Sequence, residues 1–170
     1  KKHHPSSKVI LGGLTATRFH SEIVEKFHFI DVVVRGEAEK SILEFVETLE
    51  NPKSISNVSN ITYRNNSGKV CTNPLEEPCK DLNEFEFTHL DLVEPKSFLT
   101  FLGVKLWNIP LCRGCTYNCV TCGGSAYSYR SMLGRERPAF RSPSKIVEDL
   151  VHLKEQGIDA VFLFQDARMG

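Results

Sequence analysis

Leu111-Cys112-Arg113-Gly114-Cys115-Thr116-Tyr117-Asn118-Cys119-Val120-Thr121-Cys122-Gly123-Gly124 is the stretch on which the fold turns. It holds four of the six cysteines of the 170-residue chain, while Cys71 and Cys79 stand apart. A small secreted domain spreads its cysteines as a disulfide framework, whereas crowding of this kind marks a metal site in a reducing compartment. A cytoplasmic location is therefore expected. Structural zinc sites usually pair two C-x2-C knuckles across about 12 to 20 residues, but here a C-x3-C step separates Cys115 from Cys119. The ferredoxin run C-x2-C-x2-C-x3-C-P has another order and ends in proline, and Gly123 follows Cys122 here. The remaining parse takes Cys115-x3-Cys119-x2-Cys122 as one unit. Three thiolates on a short loop can hold three irons of a cubane [4Fe–4S] cluster and leave the fourth iron open to a small molecule. Cys112 is then additional, and reads as a small hydrophobe at a strand end or, less simply, as a ligand.

Working outward, Lys105 to Pro110 reads as a strand that runs into the cysteine loop. Beyond the loop, Ser142-Pro143 has the form of an N-cap followed by proline at the first helical position. Ile146, Val147, Leu150 and Leu153 form a core stripe, Gly157 stands where a helix ends, and Ala160 to Phe164 reads as a second buried strand. On the amino-terminal side, Lys8 to Leu11 is a short strand ending in Gly12-Gly13. Phe19, Ile23, Val24 and Phe27 recur at helical spacing. Ile30 to Val34 has the pattern of a strand buried on both faces of a parallel sheet. Glu39 to Glu50 carries Ile42, Phe45, Val46 and Leu49 on one stripe. This alternation indicates a doubly wound α/β sheet, and since two strands do not complete one, part of that domain is expected upstream. Between the two α/β stretches, Asn51 to Val104 reads as a connecting segment with a β-hairpin, Ile61–Arg64 and Lys69–Val70, around the turn Asn65-Asn66-Ser67-Gly68.

Composition narrows the function classes. Apolar residues make up 41% and charged residues 25%, so a packed core is available. Lys plus Arg and Asp plus Glu each total 21, and a neutral chain lacks the cationic surplus of a nucleic-acid binder. No apolar run approaches the ~20 residues of a membrane span. His20, His28, His89 and His152 lack partners at ligand spacing, and His3-His4 read as a solvated helix end. Arg135, Arg137 and Arg141 read as a solvated face from which one arginine can neutralise a carboxylate.

The Cys115-x3-Cys119-x2-Cys122 spacing, with Arg113-Gly114-Cys115 opening it after a strand, resembles the radical S-adenosylmethionine (SAM) superfamily. Its signature loop follows the first strand of a partial α/β barrel. The resemblance implies that SAM chelates the open iron through its amino and carboxylate groups. It also implies that an electron from the reduced cluster releases a 5′-deoxyadenosyl radical. Tyr117 would then lie near SAM, and Gly123-Gly124 would let backbone approach it; a packing aromatic and a plain turn are the alternatives. Thr121 departs from the family, which often has an aromatic before the last cysteine. Asp166, at the carboxyl end of the second barrel strand, is implied in SAM or substrate binding.

The string Val9 to Thr17, with Ile30 to Glu39, resembles the last two strands of the cobalamin-binding Rossmann-like domain that precedes the radical SAM core in one large subclass. Cobalamin contacts are thereby implied for Gly12, Gly13, Gly36 and Glu37, which fall at strand carboxyl ends, where doubly wound sheets bind ligands, and for Thr15 as a hydrogen-bonding residue. For Gly36-Glu37 the alternative is a helix opening with an acid favoured by the dipole. The expected class is α/β. Residues 1–50 form the C-terminal half of a cobalamin-binding Rossmann-like domain, 51–104 a linker with a small hairpin, and 105–170 the first βα units of a partial (β/α) barrel. The implied function is that of a central fragment of a radical SAM enzyme with cobalamin as second cofactor. It would catalyse methyl transfer or radical rearrangement on a small-molecule or unknown substrate, fed by a donor such as flavodoxin or ferredoxin. No catalytic residue is assigned, and the fragment by itself is expected to be inactive. The alternative is a non-catalytic iron–sulfur or zinc binding module.

Overall fold

Three consecutive valines organise the first sheet. The computed structural model describes residues 3–50, 55–94, 99–101 and 103–164. In it Val32–Val34 forms strand β2, buried along its whole length. Because successive strand side chains point to opposite faces, these valines serve two cores. Val32 and Val34 pack with Phe45, Val58, Ile61 and Tyr63, whereas Val33 packs with Ala16, Val24 and Ile30. The reading of a strand buried on both faces holds.

The elements around it are β1 (Ile10–Leu11), α1 (Leu14–Arg18), α2 (His20–Lys26), α3 (Glu39–Glu50), β3 (Ile61–Arg64) and β4 (Val70–Thr72). Strand order is β1-β2-β3-β4. β1 and β2 are parallel, as expected for strands joined through helices. The hairpin β3–β4 does not stand apart in a connecting segment: β3 pairs antiparallel with β2, Val34 opposite Ile61 and Val32 opposite Tyr63. The sheet is therefore mixed rather than parallel. The reason is that β2 is buried, so the peptide groups on its second edge need partners. The Ile61-Thr62-Tyr63 run, buried at every position, supplies them.

Helix α3 sits rotated from its expected stripe. Phe45 and Ser41 are buried, while Ile42, Val46 and Leu49 are 39 to 51% exposed. Polar bonds fix that rotation: the Glu44 carboxylate accepts from the Ser59 amide (3.3 Å) and hydroxyl (3.2 Å), and Lys40 pairs with Glu76. By compactness, Lys1–Pro78 and Asn118–Glu136 form one unit, which takes in helix α4 (Ala126–Leu133) beside α1.

Cys79–Tyr117 and Arg137–Gly170 form the second unit. It contains β5 (Leu99–Phe101), β6 (Val104–Pro110), β7 (Cys112–Arg113), β8 (Ala139–Phe140), α5 (Pro143–Glu155) and β9 (Ala160–Phe164). β6 and β9 are parallel from Leu106 opposite Ala160 to Pro110 opposite Phe164, and α5 makes the crossover. Ser142 caps α5 by accepting from the Lys145 amide at 3.3 Å, with Pro143 next. Leu90, Ile109, Leu153 and Ile158 are its core. Two expectations are corrected here. Val147 is exposed, because the helix buries the Leu153 side and a charged Asp149 instead of the full apolar stripe. β9 is not a buried strand: Phe162, Leu163 and Phe164 are 45 to 59% exposed, since β6 is its one partner among the described residues. The His3-His4 pair is exposed and lies in no helix.

Leu153→Ala removes a fully buried side chain and is expected to lower unfolding free energy by about 2–5 kcal/mol. Val147→Ala should change it by no more than about 0.5 kcal/mol. Urea denaturation of the two variants side by side checks the assignment; equal losses would mean that the whole stripe is packed.

Candidate functional site

Residues 114–125 join β7 to α4 without helix or strand. Gly114 turns the chain out of β7 at φ 109°, a conformation that side chains with a Cβ rarely adopt. The turn separates two thiols. Cys112 is buried in β7 at 2% exposure, whereas Cys115 is half-buried. Cys119 and Cys122 are exposed, and none of the six cysteines is in a disulfide. The Tyr117 amide donates to Cys115 Sγ (3.3 Å), and the Cys122 amide donates to the Cys119 carbonyl (3.1 Å), closing a turn between the last two cysteines. Asn118 Oδ1 accepts from the Tyr127 amide at 2.7 Å, and Ser125 caps α4 through the Ser128 amide at 3.3 Å. Tyr117 is 57% exposed, so it is no core aromatic. A Cβ on Gly124 would lie 3.9 Å from Cys122 Sγ, while one on Gly123 would meet nothing within 4 Å. Among the described residues, no three His, Cys, Asp or Glu side chains converge on one point as metal ligands. Thiols outside any disulfide on an irregular loop, two of them exposed, are nevertheless donors of the kind an iron–sulfur cluster takes. Asp166 lies outside the described residues.

The strand-end glycines divide by surroundings. Gly13 follows β1 with φ 94°, and an added Cβ there meets nothing within 4 Å, leaving bare backbone open to a ligand. Gly12 lies 3.7 Å, by the same measure, from the Val34 carbonyl, and Thr15 is exposed in α1. Gly36, at φ 68°, lies close beneath Leu75 and Leu133. Its amide donates to Thr17 Oγ1 at 3.1 Å. Asn60, itself at φ 62°, accepts the Arg35 amide on its carbonyl (2.7 Å) and donates Nδ2 to the Glu37 carbonyl (3.1 Å). The Glu37 carboxylate takes two bonds from Arg135, Nε at 2.7 Å and Nη2 at 3.0 Å, with side-chain exposures of 10% and 4%. Arg135 is therefore a buried ion-pair partner and not part of a solvated face. Burial pushes the Arg35 guanidinium below its ordinary value. Burial, and then the Arg35 charge, push His20 down, against a smaller opposing pull from Glu22. His20 Nδ1 lies 2.9 Å from Thr62 Oγ1 and 3.0 Å from Ser21 Oγ.

In the second unit, Arg141 is buried as well. It pairs with buried Asp149, lies 4.8 Å over the Phe87 ring, and donates its amide to the Leu111 carbonyl at 2.9 Å. Its Nε and Nη1 have no acceptor among the described residues. Lys145 Nζ stands 3.5 Å from Asp149 Oδ1. Arg141 thus anchors the backbone just before Cys112, and of the three arginines only Arg137 is exposed. Thr17, Asn60 and Asp149 were not singled out from sequence, and the sequence leaves open which arginine of the 135–141 stretch neutralises a carboxylate. The i, i+8 spacing of Arg141 and Asp149 across an N-cap was the one local signal; Glu37 and Arg135 are 98 positions apart.

No protein-family model matches the chain. By sequence it is 26% identical over 172 residues to the anaerobic magnesium-protoporphyrin IX monomethyl ester cyclase of Rubrivivax gelatinosus, covering 98% of this chain and 29% of that protein. It is 28% identical over 159 residues to an uncharacterized methyltransferase of Pyrococcus horikoshii, covering 93% of this chain and 33% of that protein. By structure it superposes on the cobalamin-dependent SAM radical enzyme OxsB, solved with aqua-cobalamin and SAM bound. The TM-score is 0.67 at 18% identity, over 96% of this chain and 21% of that one. The chain is thus similar in sequence to these proteins and shares the fold of cobalamin-dependent radical SAM enzymes of known structure. The radical SAM methyltransferase TsrM of Kitasatospora setae, solved with tryptophan and a SAM analogue, matches over 96% of this chain and 31% of its own with a TM-score of 0.60 at 18% identity. The mixed α/β fold is that of these structures. The chain spans about a third or less of the curated proteins it matches. Among its described residues no helix is long and apolar enough to cross a membrane.

Two measurements follow from these surroundings. Asp149→Asn leaves a buried guanidinium without its counter-charge and should cost about 3–5 kcal/mol, whereas the double replacement Arg141→Met, Asp149→Leu should recover much of that loss. Urea midpoints of both variants decide it. His20 has a lowered pKa in the fold, so the unfolded chain takes up a proton first. Its contribution is intact above about pH 6.5 and is lost as pH falls from there towards the depressed folded value. The wild type should lose stability over that interval more steeply than His20→Gln; parallel pH profiles would reject the burial argument.

Proposed function

We propose that this chain carries the cluster-binding part of a radical SAM enzyme, with Cys115, Cys119 and Cys122 as the three ligands of a [4Fe–4S] cluster. The observation that carries the reading is the partition of the four clustered thiols. Three are accessible on a loop, and the fourth, Cys112, is fixed inside a strand. Three protein ligands leave one iron for SAM. When bound and reduced, the cluster with SAM supplies a 5′-deoxyadenosyl radical. The loop's own work is to present thiolates and exclude a fourth ligand. Tyr117 stands beside the SAM position, and the Gly123-Gly124 backbone lets the nucleoside approach. Asp166 is assigned to SAM or substrate.

Residues 1–50 are read as the end of a cobalamin-binding domain whose sheet takes in the hairpin at 61–72. The rest of 51–104 connects it to the opening of a partial barrel over 105–170. Gly13 offers the bare backbone for the cofactor's nucleotide tail, with Gly12 next to it, Thr15 in the first turn of α1 and Gly36 after β2 as further contacts. The relatives' names, a cyclase and methyltransferases, support methyl transfer or radical rearrangement as the reaction class. The substrate is a small molecule, the electrons come from a reduced flavodoxin- or ferredoxin-type donor, and the compartment is cytoplasmic.

Anaerobic reconstitution of the intact protein tests this. About four irons per chain are expected, with 5′-deoxyadenosine released on reduction in the presence of SAM. Cys115→Ser, Cys119→Ser and Cys122→Ser should each abolish both signals, while Cys112→Ser should keep them. A single bound zinc with no cleavage of SAM would identify a non-catalytic module instead.

A further inference from the structure

We propose that Glu37 and Arg135 are a positioning pair that fixes the cluster-bearing segment 118–136 against the β2–α3 turn, and that the Glu37 carboxylate serves this role rather than contact with cobalamin. The inference rests on the functional reading above and adds to it the means by which two cofactor regions are held in register.

The argument starts at the two ends of α4. At its amino end, Asn118 Oδ1 and Ser125 bind the first-turn amides of Tyr127 and Ser128, so the helix is tied to the stretch that carries Cys119 and Cys122. Eight helical residues then span about 12 Å as a stiff rod. At its carboxyl end, Gly134 closes the helix in the left-handed conformation, and the Arg135 amide donates back to the Tyr129 carbonyl at 3.1 Å. That return aims the Arg135 guanidinium at Glu37. A planar fork on a carboxylate fixes orientation as well as distance, which a lysine ammonium cannot do. The receiving turn is rigid in its own right: Thr17 holds the Gly36 amide, Asn60 holds the Glu37 carbonyl, and Leu133 lies against Gly36.

The same turn ends β2, one strand over from the open backbone at Gly13. Chemistry that uses a radical source and a cobalt carrier on one substrate needs them at a set separation, since a misplacement of about 1 Å can cost on the order of 10²-fold in rate.

The test uses the intact protein reconstituted with cluster and cobalamin, and reads the magnetic interaction between cob(II)alamin and the reduced cluster by pulsed EPR relaxation. Arg135→Ala and Arg135→Lys should retain full iron, sulfide and cobalamin content but lose the wild-type relaxation enhancement, or spread it over a range of separations. The charge-reversed pair Glu37→Arg, Arg135→Glu should restore part of it. Full cofactor content with wild-type relaxation in Arg135→Ala overturns the proposal. If that variant does not fold, the near-isosteric Glu37→Gln carries the test with the same two outcomes. Failure of all these variants to fold would make the pair a stability element and overturn the positioning role. A wild-type protein that takes up no cluster or no cobalamin would overturn the functional reading itself, before any variant is made.

Discussion

Two opposite charges withdrawn from water must be paired or they cost the fold several kcal/mol each, and Glu37 with Arg135 is the place where this chain accepts that constraint. Both side chains are nearly fully covered, so neither can wait on solvent for compensation. The turn that carries Glu37 and the helix end that carries Arg135 must therefore arrive together. Much of the neighbouring detail follows from this. Gly36 takes a backbone angle that side chains avoid, and Gly134 ends α4 so that Arg135 points back. Asn60 accepts a left-handed conformation, and in it its amide binds both the Glu37 carbonyl and the Glu76 amide. Each of these local costs is offset by the pairing it permits.

The hydrophobic frame beneath that turn explains why it does not yield. β2 has a core on each face, and its three valines sit with essentially no exposed surface. A strand held from both sides has little freedom to shift register, because a one-residue slip would exchange the two cores. The turn at its carboxyl end inherits that fixity. β3 adds to it by pairing along the second edge, with the Arg35 amide bonded to the Asn60 carbonyl just past the ladder. The loop is thus positioned by the sheet and not by its own composition.

What was legible in the sequence and what was not divide along the range of the interactions. Strand β2, the Ser142-Pro143 cap and the crowded cysteines are local patterns, and the parallel β1–β2 and β6–β9 arrangement follows from the strand–helix–strand order along the chain. The rotation of α3 was not legible. Ile42, Val46 and Leu49 form as good a stripe as Phe45 does, and bonds from Glu44 and Lys40 to Ser59 and Glu76 decide between them. The arginines after the loop read as a solvated face because net charge and spacing say nothing of partners. Glu37 was legible as a residue at a strand end, where ligands gather; its engagement by an arginine 98 positions away was not.

The cysteine loop itself is a case of one backbone angle deciding chemistry. Cys112 and Cys115 are three residues apart and could have been equivalent donors had the strand simply continued. Gly114, at φ 109°, diverts the chain between them. Cys112 stays in β7, paired through its backbone with Phe140, and Cys115 emerges on the loop. Arg141, bonded to the Leu111 carbonyl and to Asp149, holds the strand side of that turn in place. A larger residue at position 114 would be strained there, and relieving that strain by extending β7 would carry Cys115 with it. The three-thiol reading of the motif, and with it the open iron, therefore depends on the backbone angle of one glycine.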